Sequence, residues 1–369
     1  MNKLRVFEAF AGYGSQSIAL RNLGIPHEVV AISEIDKYAI KAYYALHDKS
    51  IPNLGDISKI KVEDIPEHDL FTYSYPCQSL SVAGKQEGMI KGKTRSGLLY
   101  ECERIIEHCK PKYLLMENVK NLVGKKFKPQ FDEWLDYLES LGYTNYWKVL
   151  NAKDYGVPQN RERVFVVSIL GEHKPYKFAD KIPLDKCIAD ILENEVNEKY
   201  YLSEEIQKRF KITNQNKNII GTTKPEFRTI GQRDLVYDKN GIMGALVATD
   251  YKQPKQIALP CIAASRGRNP ENPSDRTPGA PTEQRLEFNT KGTSNTITTV
   301  QKDNYVVEKT YRLRKLTPRE CFRLMGMRDD DIDKIQAAGI SNTQQYKMVG
   351  NSIVANVLEA IFKNLFMEG

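Results

Sequence analysis

The chain reads as an α/β protein: a doubly wound, mostly parallel sheet joined to a second, smaller, irregular β-rich domain. Three observations predict this. Strand-like and helix-like segments alternate through the first 170 residues, the rhythm of a parallel sheet covered by helices. Beyond about residue 171 the rhythm is lost, and short β-prone segments are separated by Asn, Gly, Lys and Pro. Helical periodicity then returns at "LTPRECFRLMG" and runs to the C-terminus. The first domain is therefore expected to be discontinuous, 1–170 with 326–369, and the inserted domain to span 171–325.

The elements follow in order. "LRVFEAF" predicts a strand and "SQSIALRNLG" a short amphipathic helix closed by Gly24. "EVVAISEI" predicts the second strand, "KYAIKAYYALH" the second helix, and a further strand is expected just before "LGDI". "DLFTYSY" is a later strand, whose pairing Pro76 ends because it has no N–H to donate. "LLYECERIIEHC" predicts a helix, "YLLMENV" a strand, "FDEWLDYLESLGY" a helix stopped by Gly142, and "ERVFVVSIL" a strand. In the middle region "PEFRTIGQRD" and "NTITTVQKDNYVVE" are β-prone. Ser265 to Arg285, with four prolines and four arginines and no core periodicity, is expected to be a long loop. "GALVATDYKQ" and "SNTITTVQKD" form only a weak echo of one another. Thr317 and Glu320 around Pro318 make a capping box, and "SIVANVLEAIFKNLF" is the last amphipathic helix.

Hydrophobic content of 41% and charged content of 27% exclude a disordered chain and leave ample material for a core. The longest apolar runs, such as "YLLM" and "VFVVSIL", are too short to span a bilayer. "MNKLRVFEAF" enters a strand pattern with no export signal, so a cytoplasmic protein is expected. Six cysteines show no C-x-x-C pair and no metal-ligand spacing with the five histidines, which predicts free thiols and no metal site. A net charge of +7 is compatible with a nucleic-acid partner but does not require one.

Several residues stand where chemistry is done. Cys77 sits at the carboxyl end of a strand, the edge where open α/β sheets bind ligands, although a free cysteine also serves as a small core hydrophobe. Gly12 and Gly14 lie between a strand and a helix, which suits either a plain turn or close approach of backbone to a ligand. Glu34 ends the second strand at about the 20-residue offset of an acid that binds ribose hydroxyls. With Asp56, these features favour an adenosine-containing cofactor on a Rossmann-like turn. Glu117 emerges from an apolar strand, where a carboxyl either takes a raised pKa and holds a proton or starts a helix. Arg161 and Arg163, at period two, project to one face and serve either catalysis or surface ion pairs.

In combination these residues resemble a known family. Pro76-Cys77-Gln78 at one strand end, Glu117-Asn118-Val119 at the next and "QNRER" before another resemble the C5-cytosine DNA methyltransferases, in that family's order. "FAGYG", "LTPRECFRLMG" and "GNSIVANVLEAI" match further family motifs, so the likeness covers about residues 4–170 and 312–366. The resemblance implies S-adenosylmethionine as methyl donor, double-stranded DNA as substrate, and a monomer. A cognate restriction endonuclease acting separately is a further possible partner. Cys77 would be the nucleophile, and about Ser79 to Gly97 a lid hinged at Gly84, Gly88, Gly92 and Gly97. Glu117 would engage ring N3, Arg163 the O2 side, with Arg161 nearby. Phe10, Gly12, Gly14, Glu34, Ile35, Asp56, Ile57, Pro76, Leu99, Asn351 and Ser352 would hold the donor. Gln78 and Ser81 are implied for phosphate or orphan-guanine contacts, and Thr296-Ile297-Thr298 resemble a DNA-reading phrase. Arg266, Arg268, Arg276 and Arg285 would read guanine edges or phosphates, or form a solvated basic loop. The alternatives are a tRNA cytosine methyltransferase on the same motifs and a catalytically silent DNA-binding relative. The size of the middle region and the absence of a Cys-Phe-Thr phrase favour DNA.

Overall fold

The computed structural model describes residues 3–76, 80, 88–89, 93, 95–224, 229–260, 262–272, 281, 283–289 and 311–367. In chain order the strands are β1 (Leu4–Ala9), β2 (His27–Ser33), β3 (Leu70–Tyr73), β4 (Tyr113–Val119), β5 (Tyr143–Asn151), β6 (Gln159–Asn160), β7 (Glu162–Leu170), β8 (Lys211–Asn216), β9 (Ile219–Thr222), β10 (Leu235–Asp238), β11 (Met243–Gly244), β12 (Gln256–Pro260), β13 (Ile262–Arg268), β14 (Glu283–Asn289) and β15 (Tyr311–Lys315). The helices are α1 (Ser15–Asn22), α2 (Lys37–Leu46), α3 (Leu99–Cys109), α4 (Lys128–Ser140), α5 (Glu204–Lys208), α6 (Pro318–Arg323), α7 (Asp329–Ala337), α8 (Asn342–Asn351) and α9 (Ala355–Phe366).

These elements group into two compact units. Unit 1 holds Met1–Lys186, Met243–Lys252 and Pro318–Gly369. Its six-stranded sheet has the order β2-β1-β3-β4-β7-β5. The first four strands pair in parallel, while β7 runs antiparallel to β4 and β5 antiparallel to β7. Phe7, Phe71, Tyr73, Leu114, Met116, Val164 and Val166 are buried together, which explains why these strands read as nearly continuous apolar runs. β5 is absent from the expected elements. It is an edge strand whose middle residues are only partly covered, so its period-two signal is faint.

Local chemistry sets the helix ends. Gly14, in the left-handed region, offers no side chain to cap α1. Instead the buried Glu8 of β1 accepts from Ser17 N–H (3.0 Å) and Ser17 Oγ (2.9 Å), satisfying a donor that the first turn leaves open. Gly24, also left-handed, closes the chain behind α1 as expected. Asp36 caps α2 by accepting from Tyr38 and Ala39 N–H. The strand expected just before Asp56 does not form; Asn53 makes a single bridge to Ile32, and Asp56 itself caps a 3-10 turn at Ile57–Lys59. The last predicted helix is shorter than expected, because Ser352 to Val354 separate α8 from α9.

Unit 2 comprises Cys187–Ile242 and Gln253–Thr317. A five-stranded sheet, β15-β12-β10-β9-β8, covers a small core of Leu202, Ile220, Val236, Ala258 and Leu313. Arg312 pairs with Glu198 and stacks on the Tyr201 ring at 3.7 Å. β13 and β14 form a separate antiparallel ribbon, with Ser265 opposite Leu286. The loop expected from Ser265 to Arg285 is thus strand at both ends. "PEFRTIGQRD" is not a strand where it is described: Gln232–Asp234 is a 3-10 turn, and the strand begins at Leu235. "NTITTVQKDNYVVE" lies outside the described residues. The compact units also redraw the expected boundary. Residues 171–186, 243–252 and 318–325 belong to unit 1; Gln159 ties the last two segments in, donating to Leu324 O and accepting from Leu246 N–H.

Candidate active site

A cavity of about 350 Å³ opens in unit 1 at the carboxyl ends of the parallel strands. This is the edge where helix N-termini and loop backbones converge in a doubly wound sheet. One wall is the turn after β1. Phe10 there has φ 55°, uncommon for a side-chain-bearing residue, and Gly12 has φ 59°. A Cβ on Gly12 would meet no protein atom within 4 Å, so this backbone stands open to the cavity. Gly14 does not line it. A Cβ on Gly14 would lie 2.3 Å from His47 Nε2, so that glycine serves close packing of the turn on α2.

Glu34 closes the same wall. One carboxylate oxygen accepts from Gly12 N–H (2.9 Å), and the other from Ile35 and Asp36 N–H (2.8 Å each). Asn53 fixes Glu34 in turn, accepting from its N–H (3.1 Å) and donating to its carbonyl (3.0 Å). Ile35 is 72% exposed, an isolated apolar surface beside that carboxylate. Asp56 and Ile57 line the next stretch. Ser58 donates to Asp56 and holds its carboxyl below the ordinary range. Leu99 was expected here and is not in the lining; it is 2% exposed within the sheet's core, and Leu98 lines the cavity instead. The reason is helical geometry, since Leu99 opens α3 and faces inward with Cys102 and Ile106.

A second wall is built on strand ends. Glu117 is buried at the end of β4, and Arg163 at the start of β7 reaches it, Nε to Oε1 at 3.1 Å. Burial pushes the Glu117 carboxyl up, opposed by the charges of Arg163 and then Arg161. Arg161, 4% exposed, also lines the cavity, and its guanidinium donates to Leu246 O (2.6 Å), Gly350 O (3.2 Å) and Ser352 O (2.6 Å). Asn351 and Ser352 complete the lining, as expected.

Cys77, Gln78, Ser81, Thr296 and Ile297 lie outside the described residues, and of Arg266 and Arg268 only the backbone in β13 is described. The chain flanking Cys77 is nevertheless held. Asn118 donates to Tyr75 O (3.1 Å), Ser96 Oγ to Pro76 O (2.7 Å), and Asn121 to Leu80 O (2.6 Å). Pro76 lines the cavity. Sequence reasoning named Asn118 only within its motif and missed Ser96, Asn53 and Asn121. Single polar residues contacting distant carbonyls leave no periodic signal.

The fold is a doubly wound α/β sheet with a cavity at its strand ends, and comparison with known proteins narrows its class. The family model "C-5 cytosine-specific DNA methylase" matches residues 4–367. The Type II methyltransferase M2.ScrFI of Lactococcus lactis subsp. cremoris is 37% identical, the match covering 98% of this chain and 99% of that protein. The orphan methyltransferase M.SPRI of Bacillus phage SPR is 33% identical over 99% of this chain and 98% of its own. Among solved structures, the Dnmt2 methyltransferase of S. pombe shares the fold at a TM-score of 0.67 and 19% identity, covering 99% of each chain. The chain belongs to the C-5 cytosine-specific DNA methylases.

Proposed function

We propose that the protein transfers a methyl group from S-adenosylmethionine to C5 of a cytosine flipped out of duplex DNA, through a covalent bond from Cys77 to C6. The observation that carries this reading is the buried Glu117–Arg163 pair in the same cavity lining as Gly12 and Glu34, with Pro76, the neighbour of Cys77, also in that lining. Membership of the C-5 cytosine-specific DNA methylases supports methylation of DNA.

Cytosine C5 is a weak nucleophile. Addition of the Cys77 thiolate to C6 moves the C5–C6 π electrons onto the ring and makes C5 enamine-like. Glu117, whose burial favours its protonated form, donates to ring N3 as negative charge develops there. Arg163 holds Glu117 in place and offers its remaining donors to the O2 side. After methylation the C5 proton leaves, its bonding electrons re-form the double bond, and the Cys77 thiolate departs. Flipping the base costs about a few kcal/mol of stacking and pairing. S-adenosylmethionine, when bound, supplies an electrophilic methyl on its sulfonium. The lining fits such a ligand: open backbone at Gly12, carboxylates at Glu34 and Asp56 for hydroxyl and amine donors, and the apolar Ile35 for a flat ring. Phe10, Ile57, Pro76, Asn351 and Ser352 complete that set. Unit 2 is assigned target recognition, with Arg266, Arg268, Thr296 and Ile297 as its DNA contacts, joined by Gln78 and Ser81 of unit 1.

The test incubates the purified protein with S-adenosylmethionine and, separately, unmethylated genomic DNA or total tRNA, followed by digestion to nucleosides and mass spectrometry. 5-Methyldeoxycytidine in DNA, absent with Cys77→Ser, is the expected result. Methyl transfer to tRNA alone, or no transfer with DNA binding intact, overturns it.

A further inference from the structure

The sequence reading makes Arg161 a companion of the catalytic pair, yet its guanidinium donates to three backbone carbonyls. One of them comes from a segment that the chain order would not place here. Residues 243–252 belong to unit 1, while the chain on both sides of them belongs to unit 2. β11 pairs in parallel with β6, with Met243 opposite Gln159. The peptide groups at Leu246 are then held from both sides. Its N–H donates to Gln159 Oε1 (3.0 Å) and its carbonyl accepts from Arg161 (2.6 Å). Asp250 accepts from Val247 N–H (2.9 Å) and folds the segment into a 3-10 turn.

That turn packs directly on α8. A Cβ on Gly350 would stand 2.2 Å from Ala248 N and Val247 C, so only glycine admits the segment. Gly350, Asn351 and Ser352 line the cavity, and the guanidinium that holds Leu246 also holds Gly350 O and Ser352 O. Charge-assisted bonds from one rigid fork fix relative position well.

We propose that residues 243–252 are a latch that sets the Gly350–Ser352 wall of the methyl-donor cavity, with Arg161 as a positioning residue for the donor rather than a group acting on the base. The inference rests on the donor reading of the cavity given above.

The experiment uses the full chain as wild type, Arg161→Met, Arg161→Lys and Gly350→Ala. Binding of S-adenosylhomocysteine is measured by calorimetry, and hydrogen exchange is followed in peptides covering 243–252 and 350–354. Arg161→Met is expected to weaken binding at least about ten-fold, the equivalent of one charged hydrogen bond, and to speed exchange in both peptides. Arg161→Lys, which keeps the charge but not the fork, should recover part of each. Gly350→Ala favours the helix by propensity, so faster exchange in 243–252 beside a retained α8 would mark a displaced latch. Unchanged affinity in Arg161→Met overturns the proposal, as does lost affinity with both exchange rates unchanged. If the wild type binds no S-adenosylhomocysteine, the donor reading fails. The latch is then decided by exchange alone, and unchanged rates in Arg161→Met and Gly350→Ala overturn it.

Discussion

The two walls of the cavity are made in different ways. The strand-end wall places a charged pair, Glu117 and Arg163, in a buried setting where protonation is adjustable. The glycine-turn wall is mostly backbone: Phe10 and Gly12 at positive φ, with Glu34 neutralising open N–H groups. On the proposed function, the first wall would control where a proton sits and the second where a ligand sits. Damage to the first should therefore appear in turnover and its pH dependence. Damage to the second should appear in donor affinity and in stability.

The sharpest separation is Glu117→Gln. It keeps the shape of the carboxyl but removes the exchangeable proton, so kcat is expected to fall by about 10²–10⁴. Donor affinity, measured with S-adenosylhomocysteine, should stay near wild type. A comparable loss of donor binding would break the distinction between the walls.

Next in size is the acid limb of stability, which belongs to the glycine-turn side. His47 donates to Tyr13 O (3.1 Å), stacks near the Tyr43 ring at 4.4 Å, and is pushed down to about 4 from 6.5 by burial. The native side chain stays neutral while the unfolded one takes a proton, so stability is present above about pH 6.5 and is lost as pH falls toward 4. The loss across that window should be about 3 kcal/mol, at 1.36 kcal/mol per unit. Denaturant melts at stepped pH check it, and His47→Gln should flatten the slope.

Glu34→Ala should follow, leaving Gly12 N–H unpaired at the cavity. Donor binding is expected to weaken by about 1.5–3 kcal/mol, roughly ten-fold or more, with little change in kcat at saturating donor. A kcat loss without an affinity loss would assign Glu34 to the other wall.

The smallest effect sharpens the strand-end side from within. Arg163 lowers the Glu117 pKa against burial, so Arg163→Gln should raise it further. Activity that needs protonated Glu117 falls as pH rises through that pKa. The residual activity of the variant should therefore keep its acid form to higher pH, moving the alkaline limb upward by about one unit or more. A pH–rate profile decides this, and a downward shift would remove Glu117 as the titrating group.

Much of this site was legible before any coordinates. Glu34 and Gly12 announced themselves through strand–turn–helix spacing, and Glu117 through its place at the end of an apolar strand. Other readings failed for local reasons. Gly14 shares the pattern of Gly12, but only the packing against His47 shows that one faces ligand space and the other protein. Leu98 and Leu99 are neighbours with equal hydrophobicity, and the start of α3 turns one to the cavity and the other to the core. β5 was overlooked because an edge strand need not alternate cleanly.

By itself, the sequence determined the family, the alternating α/β order and the residue types at each strand end, because these depend on residue type and short-range spacing. The tertiary structure alone decided what Arg161 holds, which glycine is open, and that residues 243–252 belong with unit 1. The physical reason is the partner rule for buried polar groups. A buried guanidinium must find acceptors, but the carbonyls that Arg161 finds lie 85, 189 and 191 residues away along the chain, where no local pattern records the choice.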